Sequence, residues 1–330
     1  MTDPIRWGIV GPGRIANSVT ADFPHVPGAV PVAVASRNRA RGEAFAARHG
    51  IERVHDSYRA ILEDPDVDVL YLATPHPMHH ATALAAIDAG KALLVEKAFT
   101  ATVAGAVEVV DRARSAGVFV MEAMWTRFQP AIVALRELVA DGAIGDVRSV
   151  QADLGIKRSW NPDDRLFSME LGGGAILDLG VYPISFAQMV LGDPARVTAG
   201  GSTFETGADA EASILLEFGD GRTATLTCSL RGELPGSARV FGTEGWIDVV
   251  PRFHHPDTIV LHRFEADPET ITRPPLGGGY AHELIEVTEC LQAGRTESAV
   301  MPLADTLVVQ DVMGQALDQL GVRHAEAPLS

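Results

Sequence analysis

Cysteine is almost missing from this 330-residue chain, which has only Cys228 and Cys290. Two thiols with no CxxC spacing exclude a disulfide-stapled secreted scaffold, and buried free thiols are expected. Lysine is nearly as rare: Lys91, Lys97 and Lys157 stand alone among 27 basic residues. Each is therefore conspicuous, because a lysine can give up its proton where its surroundings lower its pKa and an arginine cannot. Positive charge is scarce as well, 27 basic against 43 acidic residues for a net charge of −16. That balance excludes nucleic-acid binding, which needs concentrated Lys and Arg against phosphate. Long apolar runs are lacking too. Segments such as 67–73 and 92–95 fall far short of the ~18 residues of a membrane-spanning helix, so no span is expected. MTDP leads straight into an apolar strand without a secretory leader, so a cytoplasmic location is expected.

With 46% hydrophobic and 21% charged residues the composition is that of a globular protein. A chain this long implies about two domains. From residue 5 to 122, β-branched runs at Ile5–Val10, Val30–Ala35, Val67–Ala73, Ala92–Val95 and Val118–Met121 alternate with helical stretches near 14–22, 39–49, 77–89 and 102–116. Near-continuous apolar strands separated by helices predict a doubly wound parallel sheet, a Rossmann-type domain over 1–125. After a helix at about 129–141, a strand from Asp146 to Leu154, a polar loop and an apolar helix at about 174–191, the pattern becomes mostly strands. Turn signals fall at Asp220-Gly221 and Glu244-Gly245. Residues 223–230 alternate Ala224, Leu226, Cys228 and Leu230 with Thr223, Thr225, Thr227 and Ser229, the mark of a sheet with one packed and one open face. The expectation for 126–330 is an α+β domain with a large, mostly antiparallel, open-faced sheet, closed by helices at about 280–293 and 302–320.

Strand Ile5–Val10 runs into Gly11-Pro12-Gly13-Arg14-Ile15-Ala16, a GxGxxA turn. Gly11 permits the tight turn, Gly13 lets the backbone approach a pyrophosphate, and Ala16 lets the helix pack close to the strand. An NAD site would place Asp or Glu at the end of the second strand. This chain has Ser36-Arg37-Asn38-Arg39-Ala40-Arg41 there, a hydroxyl and guanidinium groups suited to the 2′-phosphate of NADP. NADP is the expected cofactor and NAD the lesser alternative.

Two further segments carry chemistry. Glu96-Lys97 sits at the C-terminal end of a parallel strand, the edge where open α/β sheets bind ligands. In the apolar helix after Gly172-Gly173-Gly174, Asp178 and Tyr182 are four residues apart and share a face, as a structural pair or as a working one. GIVGPGRIA, ATPHPMHH, EKA and GGGAILDLGVY together resemble the glucose–fructose oxidoreductase/inositol dehydrogenase family, Gfo/Idh/MocA. Tyr182, at the family's usual His position, and MEAMWTRF at 121–128 are most similar to its dihydrodiol and NADP-dependent xylose dehydrogenase branch. The resemblance implies that Lys97, Asp178 and Tyr182 form the catalytic group, and that His76, His79 and Trp125 line the site. It also implies that Arg37 and Arg41 meet the NADP phosphate, and that the open sheet face forms a homodimer. Ala98 departs from the usual Pro, whose cis bond would aim the lysine. The cofactor set is then Gly11, Gly13, Arg14, Ile15, Ser36, Arg37, Arg41, Thr74, His76, His79, Glu96 and Lys97. The substrate set is Trp125, Arg127, Phe128 and Tyr182.

The chemistry is coherent on its own terms. Oxidising an alcohol gives hydride to a nicotinamide while a base takes the hydroxyl proton. A phenol titrating near ~10 becomes a base when a nearby ammonium favours the phenolate, so Tyr182 is the expected proton carrier and Lys97 the cation that tunes it. Asp178 would orient Lys97 or hydrogen-bond the substrate. No metal is expected: His76, His79 and His80 share a Pro-punctuated loop without a matching ligand set, and His254-His255 reads as a solvated loop pair. The substrate is a polyhydroxylated small molecule, a sugar, polyol or trans-dihydrodiol. The alternatives are a keto-sugar or keto-inositol reductase and a non-catalytic NADP-binding regulator.

Overall fold

The computed structural model describes residues 3–329 in two compact units. The first comprises residues 3–123, 276–306 and 325–329; the second comprises 124–275 and 307–324. The sequence suggested one boundary at 125/126, but the chain crosses three more times, after residues 275, 306 and 324. Its return has a packing reason. Helix α8 (Ala281–Gln292) lies against strand β1 (Ile5–Val10), and the buried Asp22 carboxylate accepts the N–H groups of Gly278, Tyr280 and Ala281 at 2.8–3.1 Å. These are amides that the start of α8 would otherwise leave unsatisfied. The tail is tied as well, by Glu326 accepting from the Thr102 amide and hydroxyl at 2.8 Å.

In the first unit β1, β2 (Ala29–Ala35), β3 (Arg53–His55), β4 (Val69–Leu72), β5 (Ala92–Glu96) and β6 (Val120–Ala123) form one parallel sheet in the order β3-β2-β1-β4-β5-β6. The strands β4, β5 and β6 are buried at every residue, which explains their unbroken apolar sequences. Helices α1 (Arg14–Thr20), α2 (Arg39–His49), α4 (His79–Asp88) and α5 (Val103–Ala116) occupy the expected connections. Three-residue β3 and five-residue α3 (Tyr58–Leu62) are too short for a periodic pattern and escape a reading of the sequence.

The second unit holds an eight-stranded sheet of β7 (Val147–Gly155), β8 (Arg196–Thr203), β9 (Asp209–Glu217), β10 (Thr223–Ser229), β11 (Ala238–Gly242), β12 (Gly245–Val249), β13 (Thr258–Arg263) and β14 (Glu269–Thr272), in the order β14-β13-β12-β11-β7-β10-β9-β8 and antiparallel except where β10 runs parallel to β7. Helix α7 (Val181–Leu191) packs on β7 and β10. Along β10, Ala224, Leu226 and Cys228 are buried while Thr225 is exposed. The helical run Met169–Leu191 is by length and composition apolar enough to cross a bilayer, a stretch that scanning for unbroken apolar runs overlooks. In the fold 83% of its apolar window is buried, so its hydrophobicity is that of a core element.

Candidate active site

In the first unit the expected cofactor residues collect at one edge of the parallel sheet. The order reverses at β1, and the residues following β1, β2, β4 and β5 stand at the C-terminal edge beside that switch. Gly11 has φ +87° and a Cβ there would stand 3.0 Å from the Ala73 carbonyl oxygen, so the turn requires glycine. A Cβ on Gly13 would meet nothing within 4 Å. Open space where a side chain would stand lets a dinucleotide's pyrophosphate approach the backbone.

At the end of β2, Ser36 is buried and its hydroxyl donates to the Asn38 carbonyl at 2.8 Å, while Asn38 caps α2 by accepting from the Arg41 amide. Arg39 pairs with Glu43 at 2.8 Å. Arg37 and Arg41 are exposed, the Arg37 guanidinium 5.6 Å above the Tyr58 ring. The residues present here fit a 2′-phosphate: two guanidinium groups and no carboxylate at the strand end.

The histidines diverge. His79 is fully buried, with Nδ1 3.1 Å from the Ala98 carbonyl oxygen and Nε2 2.7 Å from that of Thr74. It ties the loops after β4 and β5 together, and burial lowers its pKa. Both ring nitrogens face backbone carbonyls. His80 faces Glu108 at 2.9 Å, and His76 packs edge-on to His79. Glu96 is buried and accepts from the Tyr71 hydroxyl. Lys97 is half-buried, and the Lys97–Ala98 peptide bond is cis, the form that the usual proline would supply.

The second unit holds the other candidates. Asp178 lies in a π-helical turn, Ile176–Gly180, that precedes Tyr182 in the first turn of α7. The sequence implied one regular helix. The wider turn re-aims Asp178, a device that recurs at functional sites. Its Oδ1 accepts from Arg165 Nη2 at 3.0 Å. Tyr182 is buried; its hydroxyl accepts from Trp125 Nε1 at 3.2 Å, and its ring lies 5.1 Å from that of His254. His255 stacks on Trp125 at 5.1 Å. His254-His255 is therefore a half-buried wall around Trp125 and Tyr182, not a solvated loop pair. Phe253, fully buried against Phe186, draws the segment inward, and Thr126 Oγ1 holds the His254 carbonyl at 2.6 Å. Burial lowers the His255 pKa, which favours the neutral ring.

Arg127, expected at the substrate, is 2% exposed and donates to Ser185 Oγ at 3.2 Å and Gln188 Oε1 at 2.5 Å. A guanidinium so enclosed stitches its turn to α7. Phe128 is buried beside it in the chain. Reading the sequence missed Arg165, although its polar loop was noted, and Asp209, which carries no local signal. Asp209 Oδ2 accepts the Ile176 amide at 2.6 Å.

Residues 5–124 match the model of an oxidoreductase family with an NAD-binding Rossmann fold, and 132–248 match the GFO/IDH/MocA C-terminal domain. A trans-1,2-dihydrobenzene-1,2-diol dehydrogenase of Mus musculus is 38% identical, covering 96% of this chain and 97% of that protein. Its namesake in Danio rerio is 35% identical with 98% of both covered. A 3-ketoreductase from Actinomadura kijaniata, solved with NADP and TDP-benzene, superposes with a TM-score of 0.84 at 26% identity over 99% of this chain and all of that one. The aldose-aldose oxidoreductase from Caulobacter crescentus, at 24% identity, a TM-score of 0.87 and coverage of 96% and 98%, shares the fold. With both halves matched and more than a third of the residues identical across nearly its whole length, the chain belongs to the Gfo/Idh/MocA family of oxidoreductases and carries its NAD(P)-binding Rossmann domain.

Proposed function

We propose that this protein is an NADP(H)-dependent dehydrogenase that moves hydride between the nicotinamide and a hydroxyl- or carbonyl-bearing carbon of a trans-dihydrodiol, sugar or polyol. The observation that carries the cofactor choice is the end of β2, where Arg37 and Arg41 stand exposed and Ser36 replaces the carboxylate that would bind a ribose 2′-hydroxyl. Substrate class rests on the full-length dihydrodiol dehydrogenase relatives. NADP, when bound, supplies the hydride acceptor or donor. Tyr182 exchanges the hydroxyl proton. The indole N–H of Trp125 points at the Tyr182 oxygen, and a donor there favours the phenolate, as does the ammonium of Lys97 in its proposed role. Asp178, held by Arg165, hydrogen-bonds the substrate. Trp125 and Phe128 form the apolar side of the substrate site. Two buried free thiols agree with a cytoplasmic enzyme.

A second reading, a keto-sugar reductase, is favoured by the likeness to the ketoreductase solved with NADP. One experiment separates the two: absorbance of NADPH during a screen of trans-diols, aldoses, inositols and their keto forms, with NADP(H) and NAD(H) in parallel. Turnover of a trans-diol with NADP is the expected result; activity confined to keto-sugars with NADPH selects the second reading, and no turnover of any class sinks both.

A further inference from the structure

Beneath the glycine run that precedes Asp178 lies a carboxylate with no part in the reaction described above. Asp209, on β9 (Asp209–Glu217), is fully buried, and its Oδ2 accepts the Ile176 amide at 2.6 Å. Its Oδ1, buried, has no hydrogen-bond partner. Gly174, with φ +129°, lies against that oxygen so closely that a Cβ would stand 2.0 Å from it. On the far side of the turn a Cβ on Gly180 would stand 3.1 Å from Cys228 Sγ. The turn bearing Asp178 is thus seated on two strands, and its one side-chain anchor at the start is Asp209.

We propose that Asp209 is a positioning residue, whose ionised carboxylate holds the π-turn by the Ile176 amide and thereby sets Asp178 and Tyr182. The proposal rests on the reading of Tyr182 as proton carrier. A neutral Ser or Asn accepts a backbone N–H at a helix start about as well as Asp does, so capping alone gives no reason to bury a charge. What the charge adds is a shorter, charge-assisted bond that fixes the turn. Burial pushes the Asp209 carboxyl up to about 6, opposed by the backbone amides of Ile176, Asp209 and Ala175. The titratable and charged groups on the elements packed around it are Asp178 on the turn, Cys228 on β10, whose thiol burial pushes up, Glu211 and Glu217 on β9 itself, and, on the neighbouring strand β8, Arg196, which pairs with Glu217 at the far end of β9. Across the strand pair stands Thr203, uncharged, whose carbonyl accepts from Arg231. Protonation of Asp209 therefore falls inside the working range, and it weakens the hold on the turn.

Because the folded pKa lies above the ordinary 3.8, the folded state binds this proton more tightly than the unfolded one. The contribution of Asp209 to stability is thus fullest below 3.8 and is lost as pH rises through about 6. Positioning and stability then run in opposite directions. Single-turnover hydride transfer, read as NADPH formation on the best substrate of the screen, falls as pH is lowered in every variant because Tyr182 takes up its proton, so the readout is the ratio of the wild-type rate to that of Asp209→Asn at each pH. That ratio should be about three- to tenfold at pH 7.5 and should shrink toward one between pH 7 and 5, with NADP affinity unchanged. Over the same range the melting temperature of the wild type should rise relative to that of Asp209→Asn. Asp209→Ser, smaller and also a backbone acceptor, carries the same test if the Asn variant does not fold, and Asp209→Glu should keep a pH-dependent ratio to the neutral variant. A ratio that stays constant from pH 7 to 5, or that is one throughout, overturns the proposal. Failure of the underlying reading looks different: Tyr182→Phe would then turn over normally, whatever the Asp209 variants do.

Discussion

At Tyr182 a single oxygen separates a packing residue from a proton carrier. The ring is buried against His254, so Tyr182→Phe keeps its contacts and removes only the atom that meets Trp125 Nε1. Its kcat should fall by roughly 10²–10⁴-fold while NADP affinity stays within a few-fold. If Lys97 has the proposed role, Lys97→Met should produce a comparable fall with residual activity that needs higher pH, because an ammonium favours the phenolate. Steady-state kinetics against pH with a cofactor titration checks both. A Tyr182→Phe enzyme that keeps more than about a third of wild-type turnover, with chemistry rate-limiting, would move the base elsewhere. Residue type alone did not locate every role. Arg127 and His79 have side chains that bind phosphates and hydroxyls, and both also hold the fold: one donates to Ser185 and Gln188, and the other has its ring between two backbone carbonyls.

Among the elements, the connection from β2 to α2 carries the proposed preference for NADP. Asn38 caps α2, Arg39 is paired with Glu43, and Arg37 and Arg41 are exposed on either side. Replacing both with Ala should remove most of a preference for NADP over NAD. Charge-assisted contacts are worth about 1.5–3 kcal/mol each, so the loss should exceed tenfold in the ratio of kcat/KM for the two cofactors. Equal use of NADP and NAD by the wild type would defeat the assignment. The turn at 176–180 makes a different point about elements. Its apolar sequence, continuous with α7, reads as regular helix, and only its seat on Asp209 and Cys228 reveals the wider π geometry.

Over the molecule as a whole, the unpacked face of the eight-stranded sheet is the feature that needs an occupant. It presents Ser213, Leu215 and Thr225 exposed on neighbouring strands, with Trp246 stacked on His262 at 4.5 Å further along. We propose a homodimer through this face, burying at least ~1,000 Å². Light scattering at micromolar concentration should give twice the 35.1 kDa of the chain, and Thr225→Glu, a charge in the middle of the face, should shift it toward monomer. A monomeric wild type would count against the proposal.

The parallel sheet was legible in the sequence because its strands are buried on both sides and its helices are capped locally: apolar runs, glycine stops and the GxGxxA turn are short-range signals. The same holds for Gly11, Gly13 and the Arg-bearing strand end, whose roles follow from backbone conformation and charge. What only the tertiary structure decided depends on residues far apart in the chain. Asp22 recruits α8 from 256 residues away and so overrides a single domain boundary. Phe253 draws His254 and His255 in beside Tyr182, and Asp209 meets Ile176 across 33 residues. A buried polar group must find a partner, but the sequence does not say which one, since that choice is made by the packing that brings distant backbone and side chains within hydrogen-bond reach.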